Sequence, residues 1–153
     1  MSEIEARLAR MGLTLPDAPA PAANYVPFVR SGSMVWVSGQ IPHGPDGLMR
    51  GKLGHDASID DGIMAARACA LAVLAQVRAA CDGDLGRLKR VVKLVGFVNC
   101  TPDFTDQPRV INGASDLMVG LLGDAGRHAR SAVGAASLPL GVMVEVEAVC
   151  EVA

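Results

Sequence analysis

One arginine and two glutamates near the end of the chain have the types and spacing that chemistry would need. Arg130 opens the stretch "ARSAV", and Glu145 and Glu147 sit inside "VMVEVEAVCEV". An arginine presents a planar fork of donors that grips a carboxylate through two parallel hydrogen bonds. A glutamate beside such a grip can orient or deprotonate a water. Both stretches read as β-strands around a Leu-Pro turn, and two strands joined by a short turn lie side by side. That expectation places Arg130 near Glu145 at one end of a sheet.

The plainer alternative is a solvated strand face. Side chains alternate along a strand, which puts Val144, Val146, Ala148, Cys150 and Val152 on one apolar face. Met143, Glu145, Glu147, Val149 and Glu151 then form the other. An exposed pair of opposite charges contributes only about 0–1 kcal/mol. Alternation by itself does not choose between a wet face and a working site.

The elements that must hold these residues are legible in outline. The 153 residues are half hydrophobic and one-fifth charged, 20%, which suits a single folded domain spanning 1–153. Aromatics make up only 3%, and the many Ala and Val side chains favour close helix–sheet packing. Ser2 and Glu5 form a capping box for a short N-terminal helix ending at Gly12. The Pro/Ala-rich lead-in "LPDAPAPAAN" is expected to run extended. "YVPFVR" and "MVWVSGQI" around "SGS" read as a hairpin, and a short strand is expected near Leu48 to Lys52. A helix from Ser58 to about Cys81 follows, then a Val-rich strand over 88–100. Pro108 opens a second helix through about Leu122, and two strands close the chain. The order β-β-(β)-α-β-α-β-β predicts an α+β fold with a mixed sheet and two main helices on one of its faces. Two helices leave the other face uncovered, which favours self-association.

Several classes of function find no footing. A net charge of −2 gives no electrostatic case for nucleic acid or an anionic membrane. No apolar run is expected to reach the length needed to span a bilayer, and "MSEIEARLARMG" is amphipathic and charged, unlike a secretion signal. Cys69, Cys81, Cys100 and Cys150 are scattered with no C-x-x-C pair, so they read as buried small hydrophobes. The default compartment is then the cytoplasm. His43 and His55 share one loop and His128 precedes the last strands; without paired spacing they read as surface or turn residues. Neither a metal nor a cofactor is called for.

Taken together, "ARSAV" with "LPLGVMVEVEAV", and "YVPFVRSGSMVWVSGQIP" a hundred residues earlier, resemble the RidA/YjgF family, also described as endoribonuclease L-PSP. The helix "AARACALAVLAQVRAA", the strand "VVKLVGFV" and the segment "INGASDLM" fall in the family's order, and the resemblance covers about residues 22 to 153. It implies a chorismate-mutase-like fold assembled as a homotrimer with clefts between subunits. It also implies metal-free hydrolysis of 2-imino or enamine acids, of the 2-iminobutanoate or 2-iminopropanoate type, to 2-keto acids and ammonia. Arg130 then matches the arginine that binds the substrate carboxylate, and Glu145 the glutamate that positions the attacking water. Tyr25, Ser38 and Asn112 match side chains lining the same cleft, and Gly39 a backbone position.

Some residues depart from that pattern. Ala132 stands where the family's deaminases usually carry Cys. The N-terminal helix, the longer "NCTPDFTDQPRV" loop and an extra residue before Arg130 mark a divergent branch. Three readings therefore stay open, in this order: an imine deaminase, a non-catalytic trimeric binder or sensor of small carboxylates, and an endoribonuclease or translation inhibitor. No task falls to Glu147.

Overall fold

The computed structural model describes residues 1–18 and 24–153; half of the Pro/Ala-rich lead-in, residues 19–23, therefore lies outside the described residues. Helix α1, Glu3–Arg10, starts as a capping box: the Ser2 hydroxyl accepts from the Glu5 amide while the Glu5 carboxylate accepts from the Ser2 amide. Strands β1 (Phe28–Ser31) and β2 (Met34–Gln40) form the expected hairpin. Its first strand begins later than Tyr25, and Tyr25 is left in the approach to it.

The short strand expected at Leu48 to Lys52 is instead a miniature hairpin, β3 (His43–Gly44) with β4 (Gly47–Leu48), standing apart from the main sheet. Gly47 takes a positive φ of 102° at its turn. Gly51, with φ 148°, then turns the chain, and Arg50 makes only a single bridge to Val142.

Helix α2, Ile59–Ala80, is capped by Ser58 with Asp61 answering in a second capping box. Its Ala-rich inner surface lies against β7 and β2. This helix does reach the length and mean hydropathy, 1.5, of a membrane span, contrary to the expectation from sequence, and 61% of that window is buried inside the fold. Strand β5, Leu88–Asn99, is followed by α3, Gln107–Leu122, with Pro108 in its first turn as expected. Strands β6 (Ala129–Ala135) and β7 (Val144–Val152) close the chain.

The five-stranded sheet has the order β1-β2-β7-β5-β6, antiparallel throughout except for the parallel pair β5–β6. Both long helices cover one face, so the α+β reading holds. The side-by-side placement of the closing strands does not hold. β5 lies between β6 and β7, and β6 runs parallel to β5 because α3 supplies the long crossover that a parallel pair needs. From β6 the chain passes through a 3-10 turn, Pro139–Gly141, with Leu140 at a φ of 58°. It thus crosses the end of β5 before starting β7.

The core is built from small side chains at close range. Val144, Val146, Ala148, Cys150 and Val152 are all buried beneath the helices, as the alternation requires. The four cysteines are buried free thiols; burial raises the Cys69 thiol well above its ordinary value and that of Cys150 to about 12. Where α2 meets α3, Gly113 lies so close to the Ile63 carbonyl that any β-carbon would overlap it. Gly113→Ala is therefore expected to push the helices apart and cost about 1–3 kcal/mol. In a thermal melt that reads as a midpoint lowered by several degrees, whereas Gly120→Ala, on the same helix and meeting only the Met11 methyl at ordinary contact distance, should not lower the midpoint.

Candidate functional site

Two separate clusters carry the chemistry. The first surrounds Glu145. Among the described residues no strand covers the outer edge of β2 beyond Pro27, because β1 pairs only with Met34 to Val37. The register between β2 and β7 also shifts after Val37, so the end of β2 bends away from a regular ladder. A cleft of about 590 Å³ opens at this edge, lined among others by Tyr25, Ser38, Gly39, Gln40 and Glu145. The turn at Pro139 and Leu140 makes one wall, held by a 2.8 Å hydrogen bond from Arg50 Nε to the Leu140 carbonyl.

Gly39 gives Glu145 its seat. The Glu145 carboxylate leans over the Gly39 α-carbon into space that any β-carbon would occupy. Glu145 is half-buried and has no hydrogen bond or ion pair among the described residues. Desolvation, assisted by the neighbouring charge of Glu147, pushes its carboxyl above the ordinary carboxylate range. The Ser38 hydroxyl donates to the Val26 carbonyl at 2.8 Å, and the Ser38 amide to Pro27 at 2.9 Å. These bonds tie the β2 edge to the segment that delivers Tyr25, whose ring is 61% exposed at the mouth. Among the described lining residues are Asp17 and Glu145 and no arginine or lysine.

The second cluster surrounds Arg130. Its Nη1 donates to Asn112 Oδ1 at 2.8 Å and to Ser115 Oγ at 3.1 Å, and its Nη2 to the Pro108 carbonyl at 3.4 Å. Ser115 Oγ in turn lies 2.8 Å from His128 Nε2, and His128 Nδ1 lies 2.7 Å from the Gly126 carbonyl. With a neutral ring the directions order themselves. Nδ1–H donates to Gly126, so Nε2 accepts from Ser115, and the Ser115 oxygen is left to accept from Arg130. His128 is therefore not the free surface or turn residue its position suggested. Asn112 and Ser115, three apart on α3, face Arg130 together.

Within one chain the two clusters do not meet. Arg130 registers with Leu94, and Leu94 with Ala148, both buried under the helices. Glu145 registers with Phe97 on the opposite face. The separation across the sheet is two strand spacings, about 10 Å, before any displacement along the strands. The expectation that Arg130 and Glu145 are neighbours on adjacent strands is thus corrected: Tyr25, Ser38, Gly39 and Glu145 share one cleft, and Arg130 and Asn112 share another place. Glu147 lies along the open sheet face beside Lys93 and Trp36.

Comparison with known proteins identifies the architecture. Residues 5–152 match the family model described as "YjgF/chorismate_mutase-like, putative endoribonuclease". The chain belongs to the YjgF family. This YjgF chain is 53% identical over 150 residues to Protein TCP17 of Trypanosoma cruzi, covering 97% of this chain and 93% of TCP17. A crystal structure of an Agrobacterium tumefaciens protein of unknown function superposes with a TM-score of 0.90 at 48% identity, covering 98% of this chain and 93% of that one. Escherichia coli TdcF with bound serine gives a TM-score of 0.60 at 28% identity, covering 89% of this chain and 94% of that one.

Sequence reasoning missed four polar residues of the two clusters. Gln40 and Gln76 line the Glu145 cleft, and Ser115 and His128 brace Arg130. The three-residue spacing from Asn112 was a readable signal for Ser115. Nothing in the sequence marks Gln76, which sits inside an apolar helix.

The raised carboxyl of Glu145 has a consequence for stability. Its value is higher in the folded chain than in the unfolded one, so the ionised form disfavours folding above the ordinary carboxylate range. Glu145→Gln is expected to raise the thermal midpoint at pH 7 by a small amount, ~1–3 °C. The gain should shrink as pH falls and vanish below the ordinary carboxylate range, where the wild-type group is neutral in both states. Melts across that pH range check the sign.

Proposed function

We propose that this YjgF chain hydrolyses reactive 2-imino and enamine acids in a cleft completed by a second copy of itself, within a homotrimer. The observation that carries the reading is the division of labour just described. The Glu145 cleft has a desolvated carboxylate and no described arginine or lysine. The Arg130 cluster has a braced guanidinium and no described acid among its hydrogen-bond partners. An anionic substrate in the first needs the second, and only another molecule can bring it there. The open sheet face supports association, since Trp36, Val29 and Val133 are 55%, 53% and 45% exposed on it. TdcF, a relative, is known with serine bound, a small molecule with the carboxylate that Arg130 would grip.

The chemistry follows from the groups. Arg130 of one copy holds the substrate carboxylate, with Asn112 and Ser115 fixing the angle of the guanidinium. Glu145 of the next copy takes a proton from a water as its oxygen bonds to C2 of the imine. The nitrogen takes up that proton to give a carbinolamine; as the carbon–nitrogen bond then breaks, the hydroxyl proton passes through the Glu145 carboxylate to the nitrogen, so that ammonia leaves and the C2 oxygen becomes the carbonyl of a 2-keto acid. An enamine first takes a proton at carbon to become the imine. No electrons change hands. Acceleration comes from positioning and general-base help. Tyr25 closes the mouth, and Ser38 and Gly39 shape the floor beneath Glu145.

A second reading rests on Ala132. It registers with Gly96 on the face that Arg130 shares, and its methyl offers no polar group beside the grip. Binding without turnover would follow from that, as a carboxylate sensor. The endoribonuclease description draws no electrostatic support from a net charge of −2.

Complementation between variants separates these readings. Arg130→Ala and Glu145→Gln should each abolish accelerated loss of an imino acid generated by an amino-acid oxidase. Co-refolded in equal amounts, they should recover about one quarter of wild-type activity, the share of inter-subunit clefts that random mixing leaves intact. No recovery would place both groups in one chain's site and sink the shared cleft. A wild-type protein that accelerates no imino acid, yet binds a 2-keto acid through Arg130, is the sensor.

A further inference from the structure

The Glu145 cleft has an inner wall that the mechanism above does not use. Ala72 and Gln76, one turn apart on α2, line it from the helix-covered side of the sheet. Gln76 has 0% exposure, and neither its Nε2 nor its Oε1 has a hydrogen-bond partner among the described residues. Buried side-chain amides in folded proteins are nearly always bonded, and an orphaned one calls for an explanation. Other polar groups nearby are already committed in part. Gln40 Nε2 donates to the Ser38 carbonyl at 2.9 Å, and Ser38 Oγ donates to Val26. Ala72, one turn before Gln76 on the same wall, adds only a methyl group to the cleft lining. The uncovered end of β2 lets one space reach both Glu145 and Gln76, although they belong to opposite faces of the sheet.

We propose that Gln76 sets the specificity of this cleft by hydrogen-bonding a polar side chain on the ligand. The substrate class is 2-imino acids, and the corresponding 2-keto acids, with a short side chain bearing a hydroxyl or a carboxamide. This rests on the reading of the Glu145 cleft as the catalytic one. With the carboxylate on Arg130 of another copy and C2 at Glu145, the wall of Ala72 and Gln76 is left for the substituent on C3. A primary amide offers both donors and an acceptor, which matches a hydroxyl or carboxamide in either orientation. A purely aliphatic substituent would seal Gln76 in without a partner, and sites built to bond a polar group reject analogues that lack it strongly. Gln76 touches the substituent and not the reacting atoms, so it governs choice among substrates and not the hydrolytic step.

The test compares size-matched pairs in wild type and in Gln76→Leu, a near-isosteric change. The imino acids of serine and asparagine are set against those of 2-aminobutyrate and leucine, all generated by an amino-acid oxidase. Wild type is expected to favour the polar member of each pair by at least about tenfold in kcat/KM. Gln76→Leu should erase that preference while leaving aliphatic turnover within about threefold, with a thermal midpoint no lower than wild type, since an orphaned amide has been removed. The same ranking is read as Kd for the matching 2-keto acids by calorimetry, which does not require turnover. Loss of all turnover in wild type with the polar Kd ranking intact would overturn the deaminase reading and leave Gln76 as the selector. Equal Kd values for polar and aliphatic members, or a Gln76→Leu effect that is the same on both, overturns the role of Gln76 alone.

Discussion

The position of β5 is the constraint on which the rest depends. A strand of twelve residues, Leu88–Asn99, pairs with β7 on one side and β6 on the other. Its Leu94 and Val98 are buried under the helices, and Gly96 lies so close to Ile111 that a β-carbon would press into its side chain. Since β5 carries α3 directly after it, the parallel partner β6 can only be added at the free edge. The two segments with the most chemical promise are thereby held apart. The same strand that organises the core ensures that a single chain holds an acid and a cation in different places.

Around that strand, the site is made by omissions as much as by side chains. β1 stops short of the end of β2, and this leaves an edge open where a longer hairpin would have closed it. Gly39 provides no side chain, and Glu145 fills the room. The carboxylate arrives half-dehydrated and next to another acid, so its proton affinity is raised without a dedicated partner. On the other side, Arg130 is held by neutral groups, namely Asn112, Ser115 and the Pro108 carbonyl. Neutral acceptors orient a guanidinium without cancelling its charge, which keeps that charge available to an anion.

Much of this was legible in the chain itself, because local rules govern it. Capping at Ser2 and Ser58, the Pro108 start of α3 and the alternation of β7 are all set by neighbours in sequence, and the structure follows them. Which strand lies beside which is not a local property. β6 and β7 read as a hairpin because the turn between them carries Pro139 and Gly141, yet Leu140 in a left-handed conformation takes the chain across β5 instead. For the candidate site, the structure gathers Tyr25, Ser38, Gly39 and Glu145 in one cleft and sets Asn112 beside Arg130 in another place, where the resemblance implies a single cleft. Gln76 escaped notice because its meaning lies in what surrounds it. A glutamine in an apolar helix looks like any other until the space before it is seen.

The buried thiols change what the cysteines can say about where such a protein works. The thiolate is the form that exchanges with disulfides or takes up an oxidant, and at Cys69 and Cys150 burial holds the proton on sulfur. Those two sulfurs are shielded from the redox poise around the chain. Unpaired cysteines usually hint at reducing surroundings, but at Cys69 and Cys150 burial alone accounts for the free thiol. Compartment must be read from something other than sulfur.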